Sequence, residues 1–198
     1  MVATVCGTRA GANENEATRA LTPPETLAVS LTRAEIRRFL LPFKEEWIFA
    51  EEATFHGGKL ISTFRTFNDP FVQPPQHLTR NHIIMFTTQA SYLFGGCCAK
   101  CDHAWPVGED EYCDLIASEQ ATFTEVRLRF REFMPNRDRV CLTMWSNAQR
   151  VYKGKLVIDI RFAFDSACSG RFKAILAVDR SFLPGTRSEI VDPGGRIE

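Results

Sequence analysis

One stretch limits the architecture open to this chain more than any other: residues 68–96, NDPFVQPPQHLTRNHIIMFTTQASYLFGG. A polar turn and a paired-proline loop lead into a run in which Ile83, Ile84, Met85, Phe86, Ala90, Leu93 and Phe94 point in every helical direction. A helix that is apolar on all sides is buried. At about 15 residues the run is too short to span a bilayer, so it must be buried by the rest of the protein. Gly95-Gly96 marks its expected end.

The flanking segments supply the cover. Residues 46–54 and 59–67 are strand-like and separated by His56-Gly57-Gly58, the composition of a hairpin turn. Upstream, Thr32 and Glu35 form a capping-box pair, and Leu31, Ile36, Phe39 and Leu40 follow at helical spacing, which predicts a short helix over 33–41 stopped by Pro42. Downstream, Val126, Leu128 and Phe130 alternate with Arg127, Arg129 and Arg131, a period of two with the apolar residues facing inward. Strand patterns recur over 139–148, then from Leu156 to Phe164, then over 171–178, with a helix expected from Glu109 to Ser118. Consecutive antiparallel strands around one long helix describe an α+β hot-dog fold. The competing layout is an α+β roll with the helix on an open face. Residues 28–182 form the expected domain, between an aperiodic tail over 1–27 and a Pro- and Gly-rich tail over 183–198.

Charge and cysteine content exclude several classes. Lys and Arg number 24 against 24 Asp and Glu, unlike a protein held to nucleic acid by bulk charge. No apolar run reaches a membrane span and no secretory leader is evident, so the expectation is a cytoplasmic protein with reduced thiols. The 7 cysteines include Cys97, Cys98, Cys101 and Cys113, which with His103 have ligand-like types. They lack the second paired knuckle of a zinc ribbon, and free thiols in a connection are expected, with no metal and no cofactor. Nucleophile-elbow, phosphate-loop and dinucleotide fingerprints are absent from the chain.

Candidate chemistry gathers at the start of the central helix. Unsatisfied N–H groups and the dipole make a helix N-terminus suited to anions or a developing oxyanion. Thr79 is the candidate N-cap, and His77, two residues upstream, is the histidine placed for general-base or oxyanion work, with Arg80 and Asn81 beside it. Within the helix, Thr87, Thr88, Gln89 and Ser91 interrupt the apolar run. Their polar groups either bond to the backbone or face a substrate. The Arg127, Arg129 and Arg131 stripe is either a solvated face or a phosphate-docking strip.

The run Phe64 to Gly96, with AWPVGEDEYC from Ala104 and RLRFREFMP from Arg127, resembles the core of the FcoT-type (type III) hot-dog fatty acyl thioesterases. Related proteins are associated with adding glycine to a (2E)-enoyl-acyl-carrier protein. The resemblance covers roughly residues 33–180. It implies a thioesterase acting on acyl-coenzyme A or an acyl-carrier protein, conjugate addition of an amine as the alternative reaction, and a homodimer. A non-catalytic acyl-binding or scaffold protein is the other alternative. On this resemblance the catalytic set is His77, Thr79 and Thr88, with Phe43, Phe71, Arg80, Asn81, Phe86 and Gln89 against the substrate. The family's loop histidine and helix glutamine are kept as His77 and Gln89. Phe43 and Phe71 stand where the family has tyrosines, and Thr79 and Thr88 where it has asparagines.

Overall fold

The computed structural model describes residues 28–68, 77–101, 105–132, 134–135, 138–152, 154–165 and 167–177. The chain begins with a short strand β1 (Val29–Ser30) and helix α1 (Arg33–Phe39), then a single 3-10 turn at Glu45–Trp47. Strands β2 (Ala50–His56) and β3 (Lys59–Arg65) precede the long helix α2 (Arg80–Cys101) and helix α3 (Glu109–Ala117). Four strands complete it: β4 (Ala121–Phe130), β5 (Arg139–Tyr152), β6 (Lys155–Phe164) and β7 (Cys168–Ala177).

The seven strands form one sheet in the order β1-β2-β3-β5-β6-β7-β4, with every neighbouring pair antiparallel. After β3 the chain crosses the sheet on α2 and re-enters at the far edge as β4. Strands β5, β6 and β7 then fill the gap. A helix carried across an antiparallel sheet in this way is the hot-dog arrangement, and the roll is set aside.

Local chemistry explains the boundaries. Thr32 caps α1: its hydroxyl accepts from the Glu35 N–H while the Glu35 carboxylate accepts from the Thr32 N–H at 2.7 Å, the expected reciprocal pair. Glu35 also pairs with Lys100, tying α1 to the end of α2. Gly57 and Gly58, both at positive φ (54° and 72°), make the two-residue β2–β3 turn, the geometry that matches strand twist and that glycine adopts without strain.

Three expectations are corrected. The strand expected over 46–54 begins at Ala50, because residues 45–47 are wound into the 3-10 turn. The strand expected over 171–178 begins earlier, at Cys168. Gly95-Gly96 does not end the central helix, which continues through both glycines to Cys101. The glycines serve close packing instead. A Cβ on Gly96 would lie 2.5 Å from the ring of buried Phe39 on α1, and one on Gly95 would lie 2.5 Å from the hydroxyl of Tyr112 on α3. These two contacts seat α1 and α3 against the C-terminal half of α2. Gly96→Ala therefore forces a methyl group into a filled space. Overpacking of about 1–3 kcal/mol outweighs a helix-propensity gain of about 1 kcal/mol, and a lower urea midpoint at unchanged m-value is the expected result.

The N-terminal half of α2 is held by aromatics. Phe86 stacks on Phe64 of β3 at 5.0 Å, and Phe67 lies between Phe49 at 4.3 Å and His82 at 4.2 Å. These rings draw α2 toward β2, β3 and β5, against which it packs closely. Its opposite side faces β4 and β7 less tightly. Burial on all sides, expected from the sequence, holds for the C-terminal half only: Ile84 remains 41% exposed. Across from it the inward face of β4 is also open, with Val126 53% and Phe130 50% exposed. Among the described residues no helix is long and apolar enough to cross a membrane.

Candidate functional site

The residues singled out in the sequence fall into four environments. At the start of α2, Thr79 is the N-cap. Its carbonyl accepts the first helical bond from Ile83 N–H, and its hydroxyl accepts from His82 N–H at 3.4 Å. His82 replies as a capping-box glutamate would: its Nδ1 accepts from Thr79 N–H at 3.2 Å and lies 2.7 Å from the Thr79 hydroxyl. Because Nδ1 accepts, the proton sits on Nε2, which donates to the Phe67 carbonyl at 2.6 Å. The imidazole is fully buried in this network. It pins the end of the β3 segment to the helix start. His82 was absent from the sequence-based candidates, although a Thr followed three residues later by an acceptor side chain is a legible capping signal.

His77, Arg80 and Asn81 lie exposed around this terminus. The His77 backbone forms an isolated bridge with Pro135, and Leu78 N–H donates to Met134 O at 2.8 Å. Phe71 lies outside the described residues.

Phe86 and Gln89 face the other way, into the β2–β3 side. Phe86 is in the aromatic stack. Gln89 is fully buried and its amide is spent on backbone: Oε1 accepts from Phe49 N–H (3.0 Å) and Ala50 N–H (3.1 Å), and Nε2 donates to Trp47 O (2.5 Å). Gln89 thereby fixes where the 3-10 turn ends and β2 begins. Phe43 is half-buried, edge-on to Tyr92 at 5.7 Å.

Thr88 alone of the proposed catalytic set faces the open side. Its hydroxyl donates to Ile84 O one turn back, at 2.8 Å. Its neighbour Thr87 differs: the Thr87 hydroxyl is buried and has no hydrogen-bond partner among the described residues. A buried unpaired hydroxyl costs about 1–3 kcal/mol. Thr87 lines a narrow cleft of about 30 Å³ with Ile84, Thr88, Val126, Leu128 and Phe172. One turn further along α2 a second narrow cleft, of about 20 Å³, runs past Ser91, Tyr92 and Gly95 to Tyr112, Ile158 and Leu176. The two form an apolar seam between α2 and the β4–β7–β6 end of the sheet, with one unsatisfied hydroxyl in its wall. The hydroxyl run Thr87, Thr88, Ser91 was visible in the sequence. Which of the three lacked a partner depends on how α2 leans.

Among the described cysteines, Cys97, Cys98, Cys113 and Cys168 are buried in the core. Cys97 and Cys98 are buried on α2, and burial pushes the Cys97 thiol well above its ordinary range. Among the described residues no group of His, Cys, Asp or Glu is arranged to hold a metal ion. His103 lies outside them.

No known family profile and no curated protein matches the chain. Solved structures similar to it include a mutant thioesterase from Pseudomonas aeruginosa, at 14% identity and a TM-score of 0.39, covering 62% of this chain and 77% of that one. A hypothetical thioesterase from Streptococcus pneumoniae with coenzyme A matches at 10% identity and a TM-score of 0.37, over 62% and 81%. A protein from Helicobacter felis matches at 11% identity and a TM-score of 0.40, over 74% and 92%. On its own helix-across-sheet topology, the chain is a hot-dog-fold protein.

Proposed function

We propose that this hot-dog subunit takes a fatty acyl thioester, of coenzyme A or of a carrier protein, with its acyl chain in the seam beside α2. The observation that carries the reading is the unpaired Thr87 hydroxyl in the wall of an apolar cleft. An acyl chain would fill the apolar walls, and the thioester carbonyl would accept the hydrogen bond that Thr87 lacks. Hydrolysis is the simplest reaction: water adds to the carbonyl carbon, the C–S bond breaks, and the thiol leaves with a proton. In this reading Thr88 flanks the carbonyl, while His77 and Thr79, at the start of α2 roughly 10 Å or more along the helix axis from Thr87, stand at the mouth, and His77 acts as base only through intervening water. Arg80 and Asn81 meet the polar end of the substrate. Addition of glycine to a (2E)-enoyl thioester needs the same carbonyl polarisation.

One observation favours a second reading, binding without turnover. Ile84, Thr87, Thr88, Val126, Leu128 and Phe172 include neither a carboxylate nor an imidazole. Mass spectrometry of saturated and (2E)-enoyl thioesters incubated with the protein, with and without glycine, separates the cases. Free acid means hydrolysis, a glycine adduct means addition, and retained intact thioester means binding only.

Thr87→Val is the sharpest variant, being nearly isosteric. It replaces an unsatisfied buried hydroxyl with a methyl group, so stability should hold or rise by about 1 kcal/mol. Loss of a carbonyl-polarising donor should lower turnover about 10²- to 10³-fold. Full activity would remove Thr87 from the site. His77→Ala with unchanged turnover would likewise remove the base.

A second copy completes the uncovered face in this proposal. Among the described residues strand β4 ends the sheet with an open edge, an arrangement that invites strand pairing, and Val126, Phe130 and Ile84 lie exposed beside it. Light scattering should give a mass near twice 22.4 kDa. Val126→Glu should return it to the single-chain value, and a wild-type monomer at micromolar concentration would refute the dimer.

A further inference from the structure

On the sheet face turned away from α2, register places four large side chains in a row across four strands. Arg127 of β4 is opposite Arg171 of β7, Arg171 is opposite Arg161 of β6, and Arg161 is opposite Trp145 of β5. Neighbouring strands lie about 4.8 Å apart, so the row runs for about 14 Å. Arg129 of β4 and Arg131, just past its end, extend it along that edge. All five arginines and Trp145 line one groove of about 510 Å³, floored by backbone and small residues at Ala163, Ser169 and Gly170.

The charge in this groove is poorly balanced. Arg127 pairs with Glu125 at 2.5 Å, and Glu125 is shared with Lys173. Arg129, Arg131, Arg161 and Arg171 make no ion pair among the described residues. One carboxylate, Asp165, also lines the groove. Like charges directly opposite on adjacent strands are destabilising, and here the repulsion occurs twice in one row on a chain whose total charge is zero. A bound polyanion would relieve it.

We propose that this groove is a binding site for a free nucleoside polyphosphate, with its phosphates on Arg127, Arg171, Arg161 and Arg129 and its base on the indole of Trp145. Guanidinium forks match phosphate oxygens bidentately, and the volume is that of a small-ligand site. The single indole at the end of the cationic row selects a mononucleotide. A single-stranded nucleic acid would call for successive aromatic platforms. The groove adjoins the acyl seam at Leu128, which lines both, but its arginines and Trp145 stand on the opposite face of the sheet and do not depend on the thioester reading.

The test is titration of the full chain at low salt with ATP, inorganic tripolyphosphate, coenzyme A and a short single-stranded RNA, read by calorimetry and tryptophan fluorescence. ATP should bind with a salt-dependent affinity. The double variant Arg161→Ala/Arg171→Ala should weaken it at least 10-fold, while an unchanged or higher Tm shows that the fold survives loss of the repelling pair. Trp145→Phe should remove the nucleotide-induced fluorescence change and leave tripolyphosphate affinity intact. No ATP binding at millimolar concentration, or binding indifferent to the arginine pair, overturns the proposal. Coenzyme A binding more tightly than ATP and competing with it assigns the groove to the thioester substrate and also overturns it. RNA binding more tightly than ATP does the same in favour of a nucleic-acid surface.

Discussion

Replacing Gln89 with leucine should cost about 3–5 kcal/mol and bring the protein close to unfolding, since whole-domain stabilities are about 5–15 kcal/mol. The substitution conserves volume but strands three backbone groups. Phe49 N–H, Ala50 N–H and Trp47 O each lose their Gln89 partner. Each buried orphan costs about 1–3 kcal/mol. Urea unfolding followed by circular dichroism measures the loss, and a change under 1 kcal/mol would show that the clamp is dispensable. Gln89→Glu provides a control with a defined sign. Only the protonated carboxyl can donate to Trp47 O, so the fold favours the neutral form and raises that group's pKa. The stability of Gln89→Glu should be greatest in acid, below the ordinary glutamate value of about 4.3, and fall as pH rises through the raised value. If the main role of Gln89 were instead to hold substrate, both variants would lose binding while keeping wild-type stability.

Phe86→Ala is the second large effect, also about 3–5 kcal/mol. Phe86 is fully buried, stacked on Phe64 and edge-on to Phe67 at 6.0 Å. Its removal opens a cavity where the N-terminal half of α2 is joined to β2 and β3. The sequence placed Phe86 along an acyl tunnel, whereas its neighbours here are core rings on the side of α2 opposite the Thr87 cleft. The two roles separate experimentally. A core role predicts a large loss of stability with acyl-chain preference unchanged. A lining role predicts longer accepted chains with little loss of stability. Leu128→Ala, at the cleft itself, is the comparison for chain preference.

Much of the fold was legible in local patterns. The Thr32–Glu35 box, the Gly57-Gly58 turn and the alternation along β4 and β6 each report a period or a cap that operates within a few residues. The candidate site was less legible, because its parts depend on partners distant in the chain. His77 and His82 look alike in sequence. Only the Phe67 carbonyl and the Thr79 cap distinguish the buried, fully bonded ring from the exposed one. Gln89 looked like a group available to substrate until residues 47–50 were found wrapped around its amide.

From its sequence alone, this protein is a chain with one long helix too apolar to be exposed and enough alternating strands to surround it, which leads to the hot-dog arrangement. Hydrophobic periodicity carries that information because burial of a whole face depends on the residue pattern. Tertiary structure decided what the helix does with each side. Aromatic stacking and the Gln89 clamp draw α2 toward β2 and β3. The opposite side is left as a seam, Thr87 is left without a partner among the described residues, and Gly95 and Gly96 become the seats of Tyr112 and Phe39. A hydrogen-bond partner or a ring on a distant element leaves no periodic trace, so those outcomes required the folded molecule.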